Sequence, residues 1–171
     1  FGWTLPAASF VAFDGFFSTL LVPPLVLFWR RQARRGREPG DLAKVAIGYL
    51  ITGIANLLLV IPAGRADAGE TIGLVWPIAL TLLNALGFLY YWPTLLALFS
   101  RAAPRPVNGT MMGLLFCSVF LGNILVGVLG GLWETMTHAD FFLLHSALAL
   151  GPFLAMLLIL RPLGRLLAPQ I

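Results

Sequence analysis

The chain has 171 residues, of which 59% are apolar and 11% charged, and its mean hydropathy is +0.91. These values exclude a soluble globular domain, which needs enough polar side chains to cover its surface, and a disordered chain, which is poor in apolar residues. The net charge is +4, but the cations lie between apolar blocks, as in membrane proteins, which argues against a nucleic-acid partner. The composition therefore predicts an integral membrane protein with the lipid bilayer as its surroundings.

Five apolar blocks are long enough to cross a bilayer as helices, which takes about 20 residues. In chain order we place these spans at about 8–29, 43–63, 72–99, 107–133 and 141–160. The blocks are continuously apolar rather than alternating, which disfavours strands. The third block is too long to cross upright, so we expect a tilt or a bend near Pro77 or Pro93. The sequence predicts an all-α membrane protein with five transmembrane helices, as a single domain over residues 1–171.

The connections between the blocks carry very different charge. Ten of the eleven Lys and Arg residues fall on one set of alternate sides, and Arg65 alone falls on the other. Under the positive-inside rule the N-terminus then lies outside and the C-terminus in the cytoplasm. We interpret the polybasic run at residues 30–37 as a cytoplasmic loop that obeys this rule. The alternative is that this run contacts anionic lipid or an acidic loop.

Asp14 is the one acidic residue well inside a predicted span. Because a carboxyl in hydrocarbon costs several kcal/mol unless it is paired, protonated or facing water, such residues usually face a cavity. Asp14 is therefore a candidate contact for substrate or protons. The alternative is a protonated or hydrogen-bonded acid near the outer interface.

In the third span, Asn84, Phe88 and Tyr91 are spaced i, i+4 and i+7 and share one helical face. Aromatic side chains near the middle of a span can line a ligand pocket, whereas those near its ends more often form interface belts or pack. Phe88 falls close to the expected midplane. These three residues are candidates for a binding wall, with plain packing as the alternative.

The fourth span carries small residues at helical spacing, which allow close approach of a neighbouring helix. We expect Asn56 and Asn123 to hydrogen-bond across helices, and Cys117 to be buried and inert. His145 is expected to be a satisfied interface histidine, with a proton relay as the alternative. The candidate helix-packing residues are Gly109, Gly113, Gly122, Asn123, Gly127 and Gly131.

Signatures of catalysis are not found. The sequence has no nucleotide-binding loop, no HExxH and no glycine-flanked nucleophilic serine. His138 and His145 have no third ligand type nearby, which disfavours a metal site. We therefore predict that the chain is not an enzyme and binds neither metal nor cofactor.

Three stretches resemble the C-terminal half of a major facilitator superfamily carrier, specifically the proton-dependent oligopeptide transporter family. They are FVAFDGFFSTLLVPP at 10–24, LLNALGFLYYWPTLLALFSRAAP at 82–104 and NGTMMGLLFCSVFLGNILVGVLGG at 108–131. The resemblance implies helices eight to twelve of twelve, a partial C-terminal bundle whose N-terminal half is missing. The first residue is Phe1 rather than methionine, and we likewise expect a fragment of a longer protein.

The resemblance also implies a function and its residues. It implies a fragment of a proton-coupled di- and tripeptide symporter, in a bacterial inner membrane, that handles peptide or a related solute together with protons. Asp14, Asn84, Phe88 and Tyr91 would form the C-terminal wall of the central substrate cavity.

Three positions depart from the family pattern. Phe88 replaces a glutamate on helix ten, Asp14 replaces an asparagine on helix eight, and Leu115 replaces a tryptophan on helix eleven. An unusual substrate is our hypothesis, and a non-transporting homologue is its alternative. A small structural or assembly membrane subunit is the rival from another class, and an intramembrane enzyme would need a nucleophile–base pair that the sequence does not show.

Overall fold

The structure, a computed structural model, describes residues 8–167, and describes side chains over residues 13–159. Five helices and two short 3₁₀ turns make up its secondary structure, and no strand occurs within the described range. The helices are α1 (Ala8–Arg34), α2 (Asp41–Asp67), α3 (Val75–Ala102), α4 (Asn108–Gly130) and α5 (His138–Leu167), with 3₁₀ turns at Arg105–Val107 and Gly131–Glu134. The predicted all-α class is confirmed.

Nearly all helix ends differ from the predicted spans, and two of these differences have a local explanation. Helix α3 begins at Val75, three residues later than predicted, because Gly73 favours helix weakly. Helix α4 ends at Gly130, and the chain tightens into a 3₁₀ turn from Gly131, as is common at helix ends. The predicted tail cations Arg161 and Arg165 lie outside the residues whose side chains are described.

Four helices are long and apolar enough to cross a membrane: α2, α3, α4 with its flanking 3₁₀ turns, and α5 as far as Ile159. Helix α1 falls short over its described residues. Its side chains are described only from Phe13 onward. The protein is an integral, multi-pass membrane protein, and the fifth crossing stays a prediction.

Helix α2 is the centre of the packing. It packs along both α3 and α5, whereas α1 packs on α3 and α4 touches α3 only lightly. Accordingly, α2 contributes more of the buried apolar side chains in the described structure than any other helix, among them Val45, Ala55 and Leu59. A smaller cluster of Leu25, Leu89 and Tyr90 joins α1 to α3.

Glycines allow α2 to approach both of its neighbours closely. A Cβ added at Gly48 would lie 2.8 Å from the Gly87 carbonyl oxygen and 2.9 Å from Tyr91 Cβ, and one at Gly53 would lie 2.5 Å from the Leu150 side chain. On the α5 side the buried Ser146 hydroxyl donates to the Gly53 carbonyl over 2.9 Å. Close backbone packing and interhelical hydrogen bonds are what hold helices together where lipid surrounds them.

Polar contacts close the two ends of the bundle. At one end Lys44 pairs with Glu38 and lies 4.7 Å above the Trp29 ring, while Arg101 pairs with Asp41. At the other end Asp67 accepts hydrogen bonds from the first backbone N–H groups of α5 and pairs with the His138 ring. These groups tie neighbouring helices together where the chain leaves the apolar layer.

Candidate functional site

A cavity of about 730 Å³ opens between α2, α3, α4 and α5. Its position follows from the packing: because α4 lies away from the tightly packed α2, α3 and α5, space remains between them. The side chains around it are aromatic and aliphatic, with a few neutral polar groups. The polar groups and aromatic rings are Tyr49, Thr52, Asn56, Phe88, Tyr91, Trp92, Ser118, Asn123 and His145.

Aromatic rings form a continuous wall on the α3 side of this cavity. The Tyr49 and Tyr91 rings stack in parallel at 5.3 Å, and Phe88 meets Tyr91 edge-on at 5.7 Å. Trp92 stacks on Phe88 at 6.2 Å and reaches Phe116 of α4 at 6.4 Å. Offset-stacked and edge-to-face pairs at these separations are favourable, so they hold one another in place. Phe88 nevertheless remains 40% exposed, toward the cavity.

The close crossing of α2 and α3 fixes the position of this wall. At Gly87 an added Cβ would lie 2.5 Å from Thr52 Oγ1 and 3.0 Å from the Gly48 carbonyl oxygen. The backbones therefore meet at these two glycines, one residue before Tyr49 and one residue before Phe88. A side chain at either glycine would force the two helices apart and separate the Tyr49 ring from the Tyr91 ring.

The predicted binding residues divide between the cavity and its surroundings. Phe88 and Tyr91 line the cavity together with Leu115, which is buried. Asn84 is not among the lining residues, and its Oδ1 is buried without a hydrogen-bond partner in the described part of the chain. Asp14 is exposed on α1 and lies within electrostatic range of the Tyr91 hydroxyl. The structure thus brings two of the four residues into one cavity and leaves the other two beside it.

Several lining residues are ones to which sequence reasoning gave only a packing role. Asn56 donates to the Thr52 carbonyl of its own helix over 2.9 Å, so this hydrogen bond stays within α2 and does not cross helices as predicted. The His145 Nδ1 lies 2.8 Å from the Phe141 carbonyl. Because a carbonyl only accepts, Nδ1 carries the proton there, and Nε2 is left to accept in the neutral ring. Tyr49 and Thr52 carried no signal in the sequence, since their place depends on how α2 crosses α3.

The candidate packing glycines of α4 face open space in this chain. At Gly109, Gly113, Gly122, Gly127 and Gly131 nothing in the described structure lies within 4 Å of where a Cβ would stand. Their helix-packing role therefore stays a prediction, and it needs a partner from outside the described residues. The expectation that Cys117 is buried is wrong: this thiol is exposed, because α4 has few neighbours.

The cavity offers hydrogen bonding and aromatic surface but little charge. Its lining residues in the described chain include no Asp, Glu, Lys or Arg. Its size falls within the range of small-molecule sites, and an apolar lining with a few placed polar groups is typical of such sites. The arrangement suits a small, partly apolar solute whose polar groups are neutral or carry a delocalised charge.

The fold and cavity define a helical membrane protein with a solute-sized space between its helices. The POT family model matches residues 1–144, and the chain belongs to this family, which confirms the resemblance seen in the sequence. The chain is 30% identical over 132 residues, 76% of its length, to the peptide transporter YePEPT of Yersinia enterocolitica. It is 23% identical over 157 residues, 88% of its length, to a di-/tripeptide transporter of Lactococcus lactis.

A further relative is the uncharacterized transporter YclF of Bacillus subtilis, 22% identical over 141 residues, 82% of this chain. The chain spans 26% to 30% of the length of these curated relatives. It therefore corresponds to less than a third of a transporter of that size.

Proposed function

We propose that the chain is part of a proton-coupled peptide transporter and supplies one wall of its central substrate cavity. Membership of the POT family and similarity to two relatives named as peptide transporters support peptide as the substrate class. We place the transporter in a bacterial plasma membrane, with the N-terminal end of this segment outside. The grouping of Lys44, Arg101 and the arginines after α1 at one end of the bundle supports that orientation.

One observation carries the proposal. Phe88 and Leu115, which replace the family's glutamate and tryptophan, line the same cavity although they lie on different helices. Two positions 27 residues apart in sequence thus face one space, as the walls of a binding site must. In carriers of this kind the substrate sits near the bilayer midplane between helices, and rocking of the two halves alternates its access.

The lining residues also suggest how peptide is held. A peptide's ammonium would meet the faces of Phe88, Tyr91 and Trp92 rather than a carboxylate. A cation over an aromatic ring is stabilised by about 0.5 to 2 kcal/mol, more when desolvated. Asn56, Asn123 and Ser118 offer neutral groups for the peptide amide. We infer that this site tolerates substrates with a masked or missing ammonium better than a site built on glutamate.

Proton coupling falls outside the cavity described here. Of the side chains that could carry a proton in coupling, its described lining contains one imidazole, that of His145, and no carboxylate. We propose that the coupling acids lie in the remaining part of the transporter, with Asp14 as the nearest carboxyl contributed by this chain. Because five helices lack the opposite wall, we expect no transport by this segment alone.

The test is uptake of di- and tripeptides, driven by a pH gradient, by the full-length protein in proteoliposomes. Wild type is compared with Asp14→Asn and Phe88→Glu, and Phe88→Gln serves as the uncharged match for Phe88→Glu. We expect wild type to take up peptide, and N-acetylated peptide to compete within a few-fold of the free peptide. Phe88→Glu, but not Phe88→Gln, should shift preference toward the free ammonium by about tenfold or more.

Two results would contradict the proposal. No peptide uptake by wild type, combined with uptake by the Asp14→Asn/Phe88→Glu double variant, would mean that the natural substrate is another solute. Equal preference in Phe88→Glu and Phe88→Gln would mean that residue 88 does not face the substrate.

A further inference from the structure

A second cavity, of about 400 Å³, lies at the C-terminal end of α1, away from the substrate cavity. It is lined by Phe28, Arg31, Gln32, Arg35 and Arg37. Three of its five lining residues are arginines, whose guanidinium groups stay charged under all physiological conditions. This end of α1 is where the helix leaves its apolar stretch, and Trp29 lies in the same turn. Tryptophan is common at the level of lipid headgroups.

The backbone at the end of α1 positions these arginines. Arg31 lies in the last turn of α1, and Arg35 is the first residue after the helix, where its N–H bonds the Gln32 carbonyl over 3.0 Å. Gly36 then adopts a left-handed conformation, with φ of 62°. The N–H of Arg37 bonds the Gln32 carbonyl and the N–H of Gly36 bonds the Ala33 carbonyl, both over 3.0 Å. This is a Schellman motif, and it folds Arg37 back beside the other two arginines.

The same motif removes an obstacle to an anion at this place. A helix C-terminus presents carbonyl oxygens that repel negative charge. Here the carbonyls of Gln32 and Ala33 already accept the two backbone bonds. The positive groups thus face a helix end whose nearest acceptors are occupied.

The arginines have no carboxylate to neutralise them. Within the described part of the chain, Arg31, Arg35 and Arg37 form no ion pair. The acidic residues that follow them are already taken, since Glu38 pairs with Lys44 and Asp41 pairs with Arg101. Three converging positive charges without a partner repel one another and favour an anionic ligand.

The remaining lining residues fit a lipid. Gln32 Oε1 is buried and has no hydrogen-bond partner in the described chain, so it is free to accept from a headgroup hydroxyl. Phe28 is 48% exposed, and its neighbour Leu27 is also exposed, which leaves apolar surface for an acyl chain just below the arginines. The cavity therefore joins positive donors, one neutral acceptor and an apolar flank, which are the complements of the phosphate, a headgroup hydroxyl and an acyl chain of a phospholipid.

We propose that this cavity is a binding site for an anionic phospholipid with a hydroxylated headgroup, of the phosphatidylglycerol type. Arg31, Arg35 and Arg37 bind its phosphate, Gln32 accepts from its glycerol hydroxyl, and Phe28 contacts its acyl chain. Clusters of arginines next to the apolar layer recognise anionic headgroups in this manner. The site is separate from the substrate cavity and does not depend on the proposed transport function.

The test uses the intact protein that contains this segment, delipidated in detergent and titrated with dioleoyl phosphatidylglycerol while bound lipids are counted by native mass spectrometry. Dioleoyl phosphatidylcholine and inorganic phosphate are the comparison probes. The variant Arg31→Gln/Arg35→Gln removes two cavity arginines. Its matched control, Arg30→Gln/Arg34→Gln, removes the same charge at the same spacing from arginines that do not line the cavity.

We expect wild type to retain phosphatidylglycerol over phosphatidylcholine. The cavity pair variant should lose about tenfold or more of this affinity, and the control pair no more than about threefold. Equal loss in both pairs would overturn the proposal in favour of diffuse surface charge. Displacement of the lipid by millimolar phosphate would show a free-phosphate site instead. Unchanged lipid affinity in both pairs would mean that the arginines serve another partner, such as an acidic loop of the same protein.

Discussion

Helices α2 and α4 are both strongly apolar, yet they have opposite environments in this chain. Of the most apolar stretch of each helix, 44% is buried in α2 but only 6% in α4. Glycines explain much of the difference: those of α2 approach α3 and α5 closely, whereas those of α4 have no neighbour within 4 Å of an added Cβ in the described part of the chain. In a membrane protein an apolar sequence shows that a helix can enter the bilayer, but its contacts decide whether it meets protein or lipid.

The difference also explains where the cavity between α2, α3, α4 and α5 lies. The packed side of the bundle, formed by α2, α3 and α5, holds the aromatic wall rigidly, and the loosely attached α4 forms the opposite side. A binding site benefits from the packed side, because rigid elements orient a ligand. Variants on the two sides should therefore behave differently.

The largest effect is expected on the packed side, at Gly48. The Cβ of Gly48→Ala would meet backbone atoms of α3 at 2.8 and 2.9 Å, which cannot yield as a flexible side chain can. We expect Gly48→Ala to lower the free energy of unfolding of the full-length protein by about 2 to 3 kcal/mol. Thermal unfolding in detergent measures this. Gly151→Ala is the control, since nothing lies within 4 Å of its added Cβ, and equal stability of the two variants would refute the close crossing.

A smaller effect is expected on the open side, at Gly127. If the α4 glycines pack against a helix from the rest of the transporter, Gly127→Leu should destabilise the full-length protein by about 1 to 2 kcal/mol, because a bulky side chain would push that helix away. Gly151→Leu provides the matched control on α5. An unchanged unfolding temperature for Gly127→Leu would mean that this face of α4 meets lipid. It would also contradict the predicted packing role of the α4 glycines.

The smallest effect compares two serine hydroxyls. Ser146 is 1% exposed and donates to α2 across the helix interface, whereas Ser118 is exposed and donates to the Leu114 carbonyl of its own helix. Ser146→Ala should cost about 1 kcal/mol of stability and Ser118→Ala less than about 0.5 kcal/mol, as interhelical bonds in membranes are individually modest. Chemical denaturation of the two variants side by side decides this, and a larger loss for Ser118→Ala would contradict it.

The sequence predicts the helices well and their contacts poorly. Continuous apolar runs mark where helices form, and the family motifs lead to Phe88 and Leu115. The spacing of Asn84, Phe88 and Tyr91 puts them on one face of an ideal helix, but Asn84 lies about 10 Å along the axis from Tyr91 at 1.5 Å per residue. It therefore sits at another level, beside the cavity. Residues that share a helical face point in the same direction. Which of them reach a cavity depends on where along the helix the neighbouring helices leave space.

The glycines show more clearly that contacts between helices are hard to predict from the sequence. Gly48 and Gly87 carry the crossing of α2 and α3, although neither lies in the small-residue repeats of α4 that the sequence brings to notice. Which of 18 glycines touches another helix depends on pairings between distant segments. The single-chain pattern holds no information on these pairings. By contrast, Gly36 follows arginines at a helix end, where local hydrogen bonding alone explains its left-handed conformation.

The most direct test of the central claim, that peptide occupies the cavity between α3 and α4, is protection of a cysteine placed there. In a full-length protein without other cysteines, and with Cys117→Ser, a water-soluble thiol reagent is applied to Ser118→Cys with and without saturating dialanine. Glu134→Cys, in the turn after α4, is the control outside the cavity.

The account predicts that dialanine slows labelling of Ser118→Cys at least several-fold and leaves Glu134→Cys unchanged. Equal labelling of Ser118→Cys in both conditions, by protein that still transports dialanine, would contradict it and place the peptide elsewhere.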